Sequence, residues 1–122
     1  MIEERFEQLV AEAWDALPPE LREKLDNVDV VVEAWPDPAT QRRAGVRHRS
    51  QLLGFYHGVP QTQRTHRYGS VLPDKISIYR QPIMMRCRNW EEVRQTVRRV
   101  LKHELGHHFG IDDERLREIG AY

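Results

Sequence analysis

The sequence predicts one domain built from both α-helix and β-strand, and three observations carry that expectation. Amphipathic helical patterns occupy the two ends of the chain, over residues 2–17 and 90–109. Three short segments between them are rich in β-branched and aromatic residues and are bounded by Gly and Pro, as strands are. The 122 residues contain no internal repeat, no low-complexity tract and no linker, so residues 1–122 read as a single unit near the usual size of a compact domain.

Each element has its own local cause. Ile2, Phe6, Val10, Ala13 and Leu17 recur at helical spacing and leave Glu3, Glu4, Glu7 and Glu12 outside the stripe. Pro18-Pro19 ends that helix, and Pro19 can open a short second one through Leu25. Val28–Trp35 reads as a strand stopped by Pro36-Asp37-Pro38. Residues 37–51 are polar and basic and read as an exposed loop. Leu52–His57 is a second strand, closed by Gly58 and Pro60. Residues 60–74 read as a long loop, and Lys75–Arg80 alternates as a third strand. Asn89 is a good helix cap, with Glu92 three residues on in the capping-box position. From there Val93, Val97, Val100, Leu101 and Leu105 share one side at about 100° per residue. His103 and His107 sit at a border of that stripe, and Glu104 projects from within it.

Composition restricts the setting. No segment approaches the apolar length that spans a bilayer. The start, Met1-Ile2-Glu3-Glu4-Arg5, is acidic and amphipathic, unlike a secretory signal. Cys87 is the only cysteine and cannot form an internal disulfide, so a reducing, cytoplasmic location is expected. Net charge is zero but uneven: −8 over residues 1–37, +11 over 38–102 and −3 over 103–122. The basic middle either meets an acidic partner or is neutralised by its neighbours in the fold.

The chemistry concentrates in His103-Glu104-Leu105-Gly106-His107-His108-Phe109-Gly110-Ile111-Asp112-Asp113. Its opening fits H-E-x-x-H on a helix, which puts two imidazoles one turn apart on one face with a carboxylate between them. Imidazole and carboxylate suit one zinc ion per chain, and three protein ligands leave a fourth position for water. Zinc lowers the pKa of that water to about 7. Glu104 is too close in sequence to both histidines to ligate easily, and is placed to take the water's proton and return it to a leaving nitrogen. Gly110 can adopt the left-handed conformation that ends the helix and turns the chain back. Asp113 then reaches the metal as third ligand, with Asp112 and Glu114 as near competitors.

The remaining polar residues read more plainly. His108 lies on the apolar side and reads as packed. His48, His57 and His66 read as surface residues, Cys87 as an incidental thiol, and Trp14, Trp35 and Trp90 as core. Tyr68, Tyr79 and Tyr122 are candidate oxyanion donors, and nothing in the sequence selects among them.

The run from His103 to Glu114 resembles the small bacterial zincin-like metallopeptidases, minimal relatives of the metzincins. Leu53–Pro60 and Leu72–Ile76 resemble that family as well. The resemblance implies an α+β zincin-like fold, with a small mixed β-sheet packed against an N-terminal helix and the active-site helix. It also implies His103, His107 and Asp113 as zinc ligands and Glu104 as general base. One departure is that no Met follows the motif, whereas metzincins carry a Met-containing turn there. Met84 and Met85 precede the helix, so a floor beneath the metal has to be built differently.

The function expected is therefore a cytoplasmic, zinc-dependent metalloprotease acting on a peptide or protein substrate. Two alternatives stand beside it. A zinc-dependent hydrolase of nucleic acid is motivated by the basic middle segment. A non-catalytic zinc-binding interaction protein would keep the motif for structure alone, although a structural site has no need of Glu104.

Overall fold

The computed structural model describes residues 1–25, 27–58 and 73–118, the side chains of Asp113 and Leu116 excepted. The long loop expected over 60–74 lies almost wholly outside the described residues.

Helix α1 spans Ile2–Asp15 and buries Phe6, Val10 and Ala13, which recur one side per turn as the pattern requires. It stops at Asp15, ahead of Pro18, and Pro19 then occupies the first turn of α2, Pro19–Arg22, where its missing N–H costs nothing. Leu17 and Leu21 close the core at this corner.

Strand β1, Val28–Glu33, leads into a helix that the sequence pattern had hidden. Residues 38–44 form α3, Pro38–Ala44, where an exposed loop is expected. Asp37 caps it by accepting a hydrogen bond from the Thr40 N–H at 2.7 Å, and that bond holds the Asp37 carboxyl below its ordinary pKa. Gly45, at φ 74°, ends it in the left-handed conformation. A short 3-10 turn at Arg49–Gln51 precedes strand β2, Gly54–His57.

Strand β3, Asp74–Tyr79, runs directly into α4, Arg80–Arg86. Helix α5 spans Trp90–His108, and α6 spans Asp113–Glu118. The α5 N-terminus is capped as expected. Asn89 accepts from the Glu92 N–H at 2.9 Å, and the Glu92 carboxylate reaches back to the Arg88 N–H at 2.9 Å.

The sheet has the order β1-β3-β2. The central strand β3 is parallel to β1, with Val30 opposite Ile76, and antiparallel to β2, with Tyr56 opposite Ile76. It is thus the small mixed sheet expected. Alternation along β3 divides its two faces. Ile76 and Ile78 point into the helical layer of α1 and α5 and are fully buried there with Phe6, Val97 and Leu101. Each such side chain contributes roughly 1.5–3 kcal/mol by leaving water. Ser77 and Tyr79 point to the opposite face, toward α3.

One close approach locks the helix to the sheet. A Cβ on Gly54 would lie 2.6 Å from Val100 Cγ1 and 3.1 Å from the Ser77 carbonyl oxygen. Only a residue without a side chain lets β2 and α5 meet at this distance. Among the described residues no helix is long and apolar enough to cross a membrane.

Candidate metal centre

The C-terminal half of α5 brings the expected pair together. The imidazole centroids of His103 and His107 are 4.0 Å apart, with ring planes at 51°. This follows from four-residue spacing on a regular helix, and it lets both rings present a nitrogen to one cation. Leu105 and Gly106 between them are buried against the core, which fixes the direction in which the pair faces.

Glu104 occupies the dry side of the same turn. Burial pushes its carboxyl up to about 7, offset in part by the nearby charge of His107. No hydrogen bond from the described residues relieves that desolvation. The site therefore holds a half-buried acid beside two imidazoles, an arrangement that a divalent cation would neutralise. The donor set fits zinc, which takes imidazole nitrogen and carboxylate oxygen. Among the described residues no group of three or more His, Cys, Asp and Glu converges on one point. The expected third donor, the Asp113 side chain, lies outside the described residues.

The chain after the helix turns as the glycine requires. Gly110 has φ 75°. Its N–H donates to the His107 carbonyl at 3.1 Å, and the Ile111 N–H donates to the Gly106 carbonyl at 2.8 Å. These two bonds make a Schellman end, with Ile111 packed on the core beyond it. Asp112 then caps α6, accepting from the Arg115 N–H at 2.8 Å. Asp113 is the first residue of α6, and Glu114 follows it on the exposed side.

A cleft of about 360 Å³ opens beside this turn, between α5 and the entry to β2. His103 and Glu104 form one wall with Arg99 and Val100, and Gln51, Leu52, Leu53 and Gly54 form the other. Sequence reading did not single out these partners. The usable signal was Arg99, which stands four residues before His103 and so shares its stripe.

A second contact that the sequence did not reveal fixes the end of α5. The His108 ring stacks on Tyr56 with centroids 3.6 Å apart and planes at 12°. The Tyr56 hydroxyl donates to Asp74 Oδ2 at 2.8 Å, and His108 Nε2 lies 3.6 Å from the same oxygen. Asp74 is buried, so this polar bridge ties the helix to both β2 and β3 one residue past His107. His108 is held by this stack but stays exposed on its outer side, where a packed residue is expected.

The other candidates fall away from the cleft. His57 Nε2 lies 3.3 Å from Ser77 Oγ on the α3 face of the sheet, so it is a half-buried residue of the fold. His48 joins Gln51 in capping the 3-10 turn. Tyr79 is buried on the α3 face, and burial raises its phenol above the ordinary value. His66, Tyr68 and Tyr122 lie outside the described residues. Cys87 is a free thiol with its Sγ 3.5 Å from Thr96 Oγ1. Trp14 and Trp90 pack on the core, and Trp35 carries the guanidinium of Arg49 at 3.9 Å.

No curated protein matches the chain. A conserved hypothetical protein from Thermo thermophilus, of solved structure, is similar at 26% identity with a TM-score of 0.54. The match covers 88% of this chain and 92% of that one. The family model described as zincin-like metallopeptidase matches residues 25–121, a span that takes in the whole sheet, α5 and the turn beyond it. The chain belongs to the zincin-like metallopeptidase family.

Proposed function

We propose that this chain is a zinc-dependent peptidase in which His103, His107 and Asp113 hold the metal and Glu104 is the general base. The observation that carries the reading is the placement of Glu104. It lies beside the paired imidazoles, on the wall of a cleft, with its carboxyl pushed up to about 7. A carboxylate placed there is within reach of water held on a metal shared by the two imidazoles, to take its proton and pass it on.

A zinc ion bound there supplies Lewis acidity, which acidifies water and polarises a carbonyl. Glu104 takes a proton from the attacking water as its oxygen bonds to the carbonyl carbon. The same carboxyl passes that proton to the amide nitrogen as the C–N bond breaks, and the products are a carboxylate and an amine. Strand β2 pairs with β3 on one side only among the described residues, so its outer edge can add an extended substrate backbone alongside the cleft. Asp112 is already engaged in capping α6, which favours Asp113 as the third donor. The nucleic-acid alternative draws less support, because Arg43 and Arg49 of the basic segment are stacked on Phe55 and Trp35 within the fold.

The test pairs metal analysis with a peptide-library screen of wild type and Glu104→Gln. Both proteins should carry one zinc per chain, and the variant should lose about 10²–10⁴-fold in kcat/KM. Equal cleavage by the two would remove Glu104 from the mechanism, and zinc retained in full by Asp113→Ala would move the third ligand elsewhere.

A further inference from the structure

Helix α5 carries a charge beside the metal centre that the chemistry above does not use. Glu91, Gln95, Arg99, His103 and His107 follow one another at four-residue intervals and form a single stripe. Lower on the stripe, Glu91 is engaged by Arg94 and Gln95. Arg99 lines the cleft, yet its guanidinium has no acidic partner among the described residues. Across the cleft, Gln51 Oε1 is fixed by the N–H groups of Arg47 and His48 at 3.0 and 3.1 Å. That leaves the Gln51 Nε2 donor without an acceptor among the described residues. The apolar part of the lining is Leu52, Leu53, Gly54 and Val100, and His103 and Glu104 complete it on the metal side.

We infer that this cleft is a selectivity pocket that takes an acidic side chain, Asp or Glu, from a residue flanking the scissile bond, with its carboxylate on Arg99 and Gln51. The inference rests on the peptidase reading and names its substrate class. Arg99 lies about 6 Å along the helix axis from His103, at about 1.5 Å rise per residue. That offset places its guanidinium within reach of a side chain one position from the reacting carbonyl. The apolar walls receive the methylene stem, and the carboxylate meets the exposed guanidinium in a charge-assisted pair. A basic side chain meets like charge in the same space and is rejected.

The experiment uses one set of fluorescent peptides that differ at a single position flanking the cleaved bond, carrying Glu, Gln, Leu or Lys. Cleavage is followed with the zinc-loaded wild type, and binding is followed by anisotropy with zinc-loaded Glu104→Gln. Each is repeated with Arg99→Gln and Arg99→Glu added. The expected result is a preference for Glu over Gln of about tenfold in both kcat/KM and affinity. Arg99→Gln should abolish that preference, and Arg99→Glu should turn it toward Lys. Cleavage without an acidic preference, or a preference that survives Arg99→Glu, overturns the pocket and leaves the peptidase intact. Acid-selective binding that depends on Arg99, with no cleavage by wild type, upholds the pocket and removes the peptidase. Neither binding nor cleavage of any peptide overturns both.

Discussion

Two groupings of the same residue types lie on opposite sides of the sheet, and they are built in opposite ways. On the α3 face, Ser77 Oγ donates to Glu33 Oε2 at 2.5 Å and lies 3.3 Å from His57 Nε2. Burial, with Lys75 and Arg43 nearby, holds the His57 pKa below its ordinary value, so the ring is neutral at pH 7. A hydroxyl has one proton. With that proton on Glu33, the neutral ring supplies its Nε2–H to Ser77, and all three groups are satisfied. On the helix face, Glu104 is half-buried without such a partner among the described residues, and desolvation pushes its carboxyl up to about 7. A carboxylate that finds a hydroxyl donor serves the fold. One left desolvated beside two imidazoles is held ready for a charge that arrives from outside.

That contrast can be broken by experiment, and the largest effect concerns Glu104 in metal-free protein. Its folded-state pKa of about 7 exceeds the 4.5 of an unperturbed carboxyl. The folded state therefore keeps a proton that the unfolded state releases. Stability is highest below about pH 4.5 and falls by about 2–3 kcal/mol as pH rises toward 7, at 1.36 kcal/mol per pKa unit. Denaturant titrations of metal-free wild type and Glu104→Gln across that window should show the loss in the first and not in the second. Parallel curves would mean that Glu104 is not desolvated.

The next effect concerns the other grouping. Ser77→Ala should cost about 1–3 kcal/mol, because it leaves Glu33 and His57 without the hydroxyl that joins them. Peptide cleavage should persist in the folded fraction. A chemical-denaturation midpoint equal to wild type would show that the α3-face grouping carries no stability.

The smallest effect lies far from both. Asn89→Ala removes the cap of α5 at the end opposite the histidines. It should lower stability by about 1 kcal/mol while kcat stays at the wild-type value. A fall in kcat out of proportion to the thermal shift would show that the two ends of α5 are coupled.

The parts legible in the sequence were those with strong periodicity. Helices α1 and α5 and all three strands stood out because each buries one face against the same core, which forces apolar residues onto a regular spacing. Helix α3 was hidden for the converse reason. It has sound boundary signals in Asp37, Pro38 and Gly45, but it buries only Thr40, so no stripe announces it. Helix α4 follows β3 with no breaker between them, and period-two alternation passes straight into helix at Arg80.

At the candidate site, the shared face of His103 and His107, with Glu104 beside it, and the turn at Gly110 were legible because the arrangement is local, held within two turns and a cap. The cleft wall from Gln51 to Gly54 and the bridge through Tyr56 and Asp74 were not. They reach α5 from distant parts of the chain through strand pairing, and pairing register leaves no mark at single positions.

Gly54 bears on how such a protein could change its diet. Because Val100 already fills the place where any side chain on residue 54 would stand, no replacement there can tune the opening without wedging helix and sheet apart. If the proposed activity holds, changes in what the cleft accepts have to come from other positions around its mouth, at 51, 52, 53 and 99. Variation around the cleft is thereby kept apart from the turn that carries His103 and His107, a separation set by one missing methyl group.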